Sequence, residues 1–267
     1  MTKIHPTAYV APGAEIADGV EIGPLCYVGG HVKIGPNCRL IAQCSIDGYT
    51  TIGANNVMHP FSALGQCAQD HSVVPGEATY LRIGDDNIFR ENTTMHTGTK
   101  PGSETVIGNR NMFMAGAHVA HNCIVHDDVI MVNGSVLGGY SEVFDHALIS
   151  GLVAVHQFCR VGRYAIISGC SAFSQDVPPF MMAEGRNGGV KMINLVGLKR
   201  GGFSTETIRV IKDLFKLYYH SGLAASNALK AVKEELPRIP EVQEFIDFVE
   251  SSKRGVVPPR SDVGHRA

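Results

Sequence analysis

Apolar residues recur every six positions along most of this chain, and that period constrains the fold more than any other feature. From Ile4 the steps read Val10, Ile16, Ile22, Val28, Ile34, Leu40, Ile46, Ile52, Met58 and Leu64 without a miss. The register returns at Ile107 and continues through Phe113, Val119, Val125, Met131, Leu137, Val143, Ile149, Val155, Val161 and Ile167 to Phe173. An α-helix cannot keep such residues on one face, because six steps at 3.6 residues per turn carry the side chain round the cylinder. A second column, four residues after each apolar position, is small or β-branched, as at Val20, Val32, Ala117, Val129 and Ala165. Five of the seven cysteines, Cys26, Cys38, Cys44, Cys123 and Cys159, fall on it, which predicts thiols acting as small interior hydrophobes. Two inward positions per hexad describe the rungs of a parallel β-helix. Glycine often follows the apolar residue, as at Gly23, Gly35, Gly84, Gly108, Gly138 and Gly162, where a tight corner is expected.

Composition narrows the function classes. The 267 residues carry 23 Lys and Arg against 25 Asp and Glu, a formal net charge of -2. Such a chain has no general basic field, so no nucleic-acid partner is expected. No apolar run approaches the ~18 residues that span a bilayer, and Met1 to Pro6 lack a signal-peptide core. The expectation is a cytoplasmic protein without membrane insertion. An odd number of cysteines with no Cys-x-x-Cys pair indicates neither a disulfide framework nor a zinc ribbon. No cofactor and no metal are expected.

The organisation follows from where the period holds. Residues 1–190 are expected to form the β-helix, with projecting loops at 66–81 and 97–105, since a solenoid accepts insertions as loops. Residues 191–255 are expected to be a helical domain. There Ser204 is a candidate N-cap, Ile208, Ile211, Phe215 and Tyr218 form one stripe, and Gly222 lies past the end. Further helices are expected at about 224–236 and 241–252, and 256–267 as a flexible tail.

Candidate chemistry concentrates in Ala117-His118-Val119-Ala120-His121-Asn122-Cys123, with His96 before it and His156-Gln157 after it. A near-neutral histidine can take a proton from a sugar hydroxyl as that oxygen attacks an acyl carbonyl. If eighteen residues make one turn, His121, Gly139 and Gln157 stack on one edge. Glycine beside a base leaves room for substrate and offers a backbone N–H to a developing oxyanion. Asn133, Gly151 and Gly169 form a second uncrowded column, suited to an extended acyl chain.

Four segments carry a family resemblance: Ala117 to Cys123, Val155-His156-Gln157-Phe158-Cys159, Gln175-Asp176-Val177-Pro178-Pro179, and Gly197-Leu198-Lys199-Arg200-Gly201-Gly202-Phe203. Together with the hexads and the helical tail, they resemble the UDP-N-acetylglucosamine acyltransferases of lipid A biosynthesis, within the hexapeptide-repeat acyltransferases. The resemblance implies a left-handed parallel β-helix, mainly β, followed by a small C-terminal α-helical domain, assembled as a homotrimer. It implies transfer of an (R)-3-hydroxyacyl group from acyl carrier protein to the 3-hydroxyl of a UDP-amino sugar, without an acyl-enzyme. His121 would be the general base and Gly139 N–H the oxyanion donor. Asp70, His118, His156, Gln157, Asn194 and Arg200 would contact substrate, and Gly169 would set acyl-chain length.

Asn122, Tyr140, Val196 and Gly201 depart from the best-known members, which leaves a 3-amino sugar as an alternative acceptor. A γ-type carbonic anhydrase using His96, His118 and His121 is the other alternative. Arg209, Lys212 and Lys216 share a helix face and are a candidate docking surface for an acidic carrier protein.

Overall fold

The computed structural model describes residues 1–186 and 188–260. Its strands form three sheets of 11, 9 and 8 strands. The first face begins with Lys3–Ile4, the second with Tyr9–Val10 and the third with Glu15–Ile16, and each strand as far as Ala154–Val155 pairs with the third one after it in sequence. Val119 therefore lies beside Leu137, and Leu137 beside Val155. This is the parallel β-helix that the hexad predicts. Its core is the column of six-step residues, buried from Ile22 onward. Ile4 remains 48% exposed because no coil lies beneath the first one. Ile83, Phe89 and Met95 are also buried, so the register continues through a coil between the two insertions.

The second inward column behaves as its composition suggests. Cys26, Cys38, Cys44, Cys123 and Cys159 are buried free thiols, while Cys67 and Cys170 are exposed. Where asparagine takes this column, side chains link successive coils. Asn56 Oδ1 accepts from Asn87 N–H at 2.9 Å, Asn87 Oδ1 from Asn111 N–H at 2.9 Å, and Asn111 Oδ1 from Val129 N–H at 2.7 Å.

The corner glycines have a different cause from the one expected. Gly23, Gly108 and Gly138 do not occupy the left-handed region; a Cβ there would lie 1.9 Å from Ile41 O, 2.4 Å from Asp127 Oδ1 and 2.6 Å from Gln157 N. They are glycine because the next coil approaches too closely for a side chain. The left-handed turn residue comes two positions later and is frequently Asn or Asp, as at Asn55, Asp86, Asn122 and Asp128, whose short polar side chains tolerate that conformation.

The repeat closes with Met181–Glu184, parallel to Ile166–Ile167, and an antiparallel return strand, Gly189–Ile193. Helices follow at α1 (Leu195–Arg200), α2 (Thr205–His220), α3 (Ala225–Glu235) and α4 (Pro240–Glu250). Ser204 caps α2 as expected, accepting from Thr207 N–H. Helix α1 was not anticipated, although Asn194 before it is a favoured N-cap and Gly201-Gly202 follow it. Helix α2 packs on the Gly189–Ile193 strand, α3 and α4.

The segment expected as a loose tail is docked over its described part. Asp176 N–H donates to Gly255 O, Val257 N–H donates to Asp176 O, and Val257 is buried. Residues 261–267 lie outside the described residues. Among the described residues no helix is long and apolar enough to cross a membrane.

One buried residue ties rod, helix and tail together, the tail through its backbone and the helix end through its carboxylate. Asp176, 1% exposed, accepts from Arg160 N–H, Arg160 Nε and Ser252 Oγ. The Arg160 guanidinium lies 4.3 Å from the Phe248 ring centroid and donates to Phe248 O. Asp176→Ala leaves that guanidinium without its counter-charge and the Ser252 hydroxyl without its acceptor, while the backbone bonds to the tail remain. The expected loss is about 3 kcal/mol, read as a lower urea midpoint; an unchanged midpoint would show that the node contributes no stability.

Candidate active site

Both insertions leave the prism at the edge between its second and third faces. The first joins strand Ala63–Gln66 to Tyr80–Ile83, and the second joins Thr94–His96 to Glu104–Ile107. His121 sits on the same edge, between His118–Val119 on the second face and Ile124–Val125 on the third. The loops thus wall the corner that carries the candidate base, whose ring is largely buried.

The eighteen-residue stack is present. Tyr140 N–H donates to His121 O, and Phe158 N–H donates to Gly139 O, both at 3.0 Å. Gly139 is buried against the imidazole: a Cβ there would lie 2.3 Å from His121 Cε1 and 2.6 Å from Nε2. Only glycine lets this ring lie under the next coil. The corner geometry leaves the N–H of Gly139 without an acceptor among the described residues, as it does those of His121 and Gln157. An unpaired donor therefore stands beside the ring.

The imidazole is held from behind by a neutral amide. His121 Nδ1 lies 3.1 Å from Asn122 Oδ1, and that oxygen also accepts from Thr99 N–H at 3.1 Å and Thr99 Oγ1 at 3.0 Å. An atom facing a backbone N–H must be an acceptor, so the amide oxygen points this way and Nδ1 carries the hydrogen. Nε2 is left with its lone pair outward. In front of it, at 3.6 Å, is Asp70 Oδ2 from the first insertion. Hydrogen bonds from Ser72 hold the Asp70 carboxyl below the usual range, aided by His121 and His71.

The remaining sequence-derived positions divide by location. His118 is half-buried beside this edge, with Nδ1 at 2.7 Å from Thr94 Oγ1, and its ring meets His96 edge-on at 4.8 Å. His156 and Gln157 are exposed one coil above Gly139. Gly169 stacks over Gly151, whose carbonyl would be 3.3 Å from an added Cβ, on the edge between the first and second faces. Asn194 and Arg200 lie elsewhere, at the edge between the third and first faces where α1 meets Tyr164. Asn194 does not present a free amide as a substrate contact would. Its Oδ1 caps α1 by accepting from Gly197 N–H, and its Nδ2 donates to Tyr164 O. Arg200 is exposed, and its side chain makes no hydrogen bond or ion pair to another described residue. Gly201 is enforced by packing, since a Cβ would meet Tyr164 Oη at 2.4 Å.

The sequence reading did not identify Thr99 or Thr105. Thr99 is 1% exposed although it lies in an insertion, and Thr105 Oγ1 accepts from Asn122 N–H at 2.7 Å. Thr105 falls on the small inward column, two residues before Ile107, but Thr99 lies in the loop beyond the hexad, where no periodic signal marks it.

Comparison with known proteins decides the family. A family model described as Udp N-acetylglucosamine O-acyltransferase, domain 2, matches residues 176–257, and one described as bacterial transferase hexapeptide (six repeats) matches residues 104–139. A relative from Thermodesulfovibrio yellowstonii, named "Acyl-[acyl-carrier-protein]--UDP-N-acetylglucosamine O-acyltransferase", is 46% identical over 96% of this chain and 99% of its own. The chain belongs to the UDP-N-acetylglucosamine O-acyltransferase family. A Thiobacillus denitrificans protein of the same name is 41% identical over 96% of this chain and 100% of its own. The crystal structure of a Bacteroides fragilis UDP-N-acetylglucosamine acyltransferase superimposes with a TM-score of 0.91 at 39% identity, covering 95% of this chain and 99% of that one. Membership in this acyltransferase family replaces the carbonic anhydrase alternative. Within the protomer, no three His, Cys, Asp or Glu side chains among the described residues are grouped to hold a metal ion.

Two expectations follow from this geometry. Gly139→Ala should displace the His121 ring and lower acyl transfer about 100-fold without unfolding the prism; retained turnover would show that the ring tolerates the methyl group. His96 is pushed down to about 4, first by burial and then by His118 and His121, from an ordinary value of 6.5. Between those pH values the unfolded chain binds a proton that the folded protein refuses. Unfolding free energy therefore falls as pH drops through that window, and it is fully retained above it. His96→Gln should lose less stability than the parent between pH 7.5 and pH 4.5 in urea titrations; equal losses would contradict this account.

Proposed function

We propose that this family member moves an (R)-3-hydroxyacyl group from acyl carrier protein to the 3-hydroxyl of UDP-N-acetylglucosamine, the first step of lipid A biosynthesis. The observation that carries this reading is the His121 ring, with its Nδ1 hydrogen engaged by Asn122 and its Nε2 lone pair facing an edge walled by two loops. In the reaction, Nε2 takes the sugar hydroxyl proton as that oxygen attacks the thioester carbonyl. Gly139 N–H receives the developing oxyanion. Collapse breaks the carbon–sulfur bond, and the imidazolium returns its proton to the departing thiolate. Asp70, close to Nε2, stabilises the imidazolium while it exists. The relatives are named as O-acyltransferases, which favours the hydroxyl acceptor over a 3-amino sugar.

The same reading supports a homotrimer with shared sites. His121 and Asp70 occupy one edge of the prism, while Arg200 is on another, so one protomer does not bring all the proposed contacts together. A neighbouring rod would supply the second set. The Gly169 column, with Asn133 and Gly151 below it, is the proposed rest for the acyl chain. Arg209, Lys212 and Lys216 are exposed along α2 and form the proposed landing face for the acidic carrier protein.

Mass spectrometry of products from mixed hydroxyacyl carrier proteins with UDP-N-acetylglucosamine and its 3-amino analogue tests the assignment. An O-acylated product is expected, with turnover about 1,000-fold lower in His121→Ala. Mixing inactive His121→Ala and Arg200→Ala protomers should restore part of the activity. Undiminished turnover in His121→Ala would remove the base, and exclusive N-acylation would change the acceptor.

A further inference from the structure

The second insertion contributes a part-buried hydrogen-bond chain that ends at the candidate base. Asn122 Oδ1 can only accept, so the Thr99 hydroxyl donates its hydrogen to it at 3.0 Å. Thr99 Oγ1 also lies 3.1 Å from Tyr140 Oη, and with its own hydrogen spent it must accept from the tyrosine. All donors therefore run toward one oxygen: Tyr140 to Thr99 to Asn122, met from the other side by His121 Nδ1–H. Tyr140 is held in place by stacking on Phe158 at 5.0 Å and by an edge contact with His121 at 5.4 Å.

The chain matters because Asn122 is an amide. A carboxylate would accept from Nδ1 in either orientation; an amide has one accepting end and one donating end. If it flipped, its NH₂ group would oppose the Thr99 N–H and O–H and would force the histidine hydrogen from Nδ1 onto Nε2. That tautomer has no lone pair for the sugar hydroxyl. We propose that Thr99 and Tyr140 are positioning residues that lock the Asn122 amide, and through it hold His121 in its base-competent tautomer. The proposal rests on His121 being the base and adds how this chain keeps it so with a neutral neighbour.

The test uses the full-length protein labelled with ¹⁵N-histidine, with the His121 signals identified by their loss in His121→Gln. In the neutral ring of the parent, Nδ1 should carry the hydrogen and Nε2 should not. Thr99→Val keeps the backbone N–H and removes the hydroxyl. It should give mixed tautomer signals and a kcat lower by about tenfold, with KM changed less than about twofold. In an Asn122→Asp background, whose carboxylate needs no orienting, the same Thr99→Val change should cost less than about twofold. Tyr140→Phe preserves both ring contacts and should shift the tautomer signals in the same direction but less, which keeps the test available if Thr99→Val folds poorly. An unmixed parental signal in both variants, or an equal kcat loss in the two backgrounds, would overturn the proposal. Full activity in His121→Ala would instead reject the base assignment, while the nitrogen signals would still judge the chain itself.

Discussion

Backbone hydrogen bonds from each coil to the next govern the rest of this molecule. They bind a residue to the one eighteen positions later wherever no insertion intervenes, so a side chain's neighbours are set by counting. That is why Gly139 lies over His121, and why a residue with a side chain cannot take its place without moving the ring. Insertions enter only at corners, where they lengthen the path without breaking the pairing. Leu64 still pairs with Met95 across the first insertion, and Met95 with Val119 across the second. Both extra segments leave the edge that holds His121, and pairing on the flat faces excludes them there.

Most of the fold was legible in the sequence because a solenoid repeats its constraints. Each hexad must bury its apolar residue and turn, and each failure of the pattern marks a loop or an end. The register through Ile83, Phe89 and Met95 escaped notice because the first insertion shifts it by one residue from Leu64, while counting back from Ile107 it is in step but interrupted at Pro101. Helix α1 is short and lacks an apolar stripe, so only its cap residue announces it. The corner glycines were found for the wrong reason: left-handed turns and close coil contacts both favour glycine, and only coordinates separate a Gly23 that avoids Ile41 O from an Asn55 that adopts positive φ. In the site, the stack of His121, Gly139 and Gln157 follows from counting. The grip of Thr99 on Asn122 does not, because it joins an aperiodic loop to a corner.

The separation of candidate residues among three edges also follows from the prism. A flat face has its strands paired above and below, and its outward residues see either solvent or a neighbouring rod. Corners are the places where an eighteen-residue coil can offer a backbone N–H, a turn residue or an inserted loop. Asn194 shows how a motif residue can be structural within the protomer: its amide organises α1 so that Arg200, six residues on, stands free at the surface. The node around Asp176 holds the helices to that same end of the rod. The helical region is thus fixed relative to the coils rather than tethered to them.

The electrostatic arrangement around the base distinguishes what is permanent from what substrate completes. Behind His121 stands a neutral oxygen, which can orient the ring but offers an imidazolium only a dipole. The full negative charge is in front, on Asp70, at 3.6 Å and 38% exposed. At that exposure, water screens the charge. When substrate displaces the water, the same separation acts through a lower effective dielectric, and the carboxylate stabilises the protonated ring more strongly. Ser72 keeps Asp70 ionised without needing the histidine. On the proposed mechanism, Asp70 stabilises the imidazolium chiefly once the molecule to be deprotonated has displaced that water, whereas a carboxylate at position 122 would lie against the ring whether or not substrate is present.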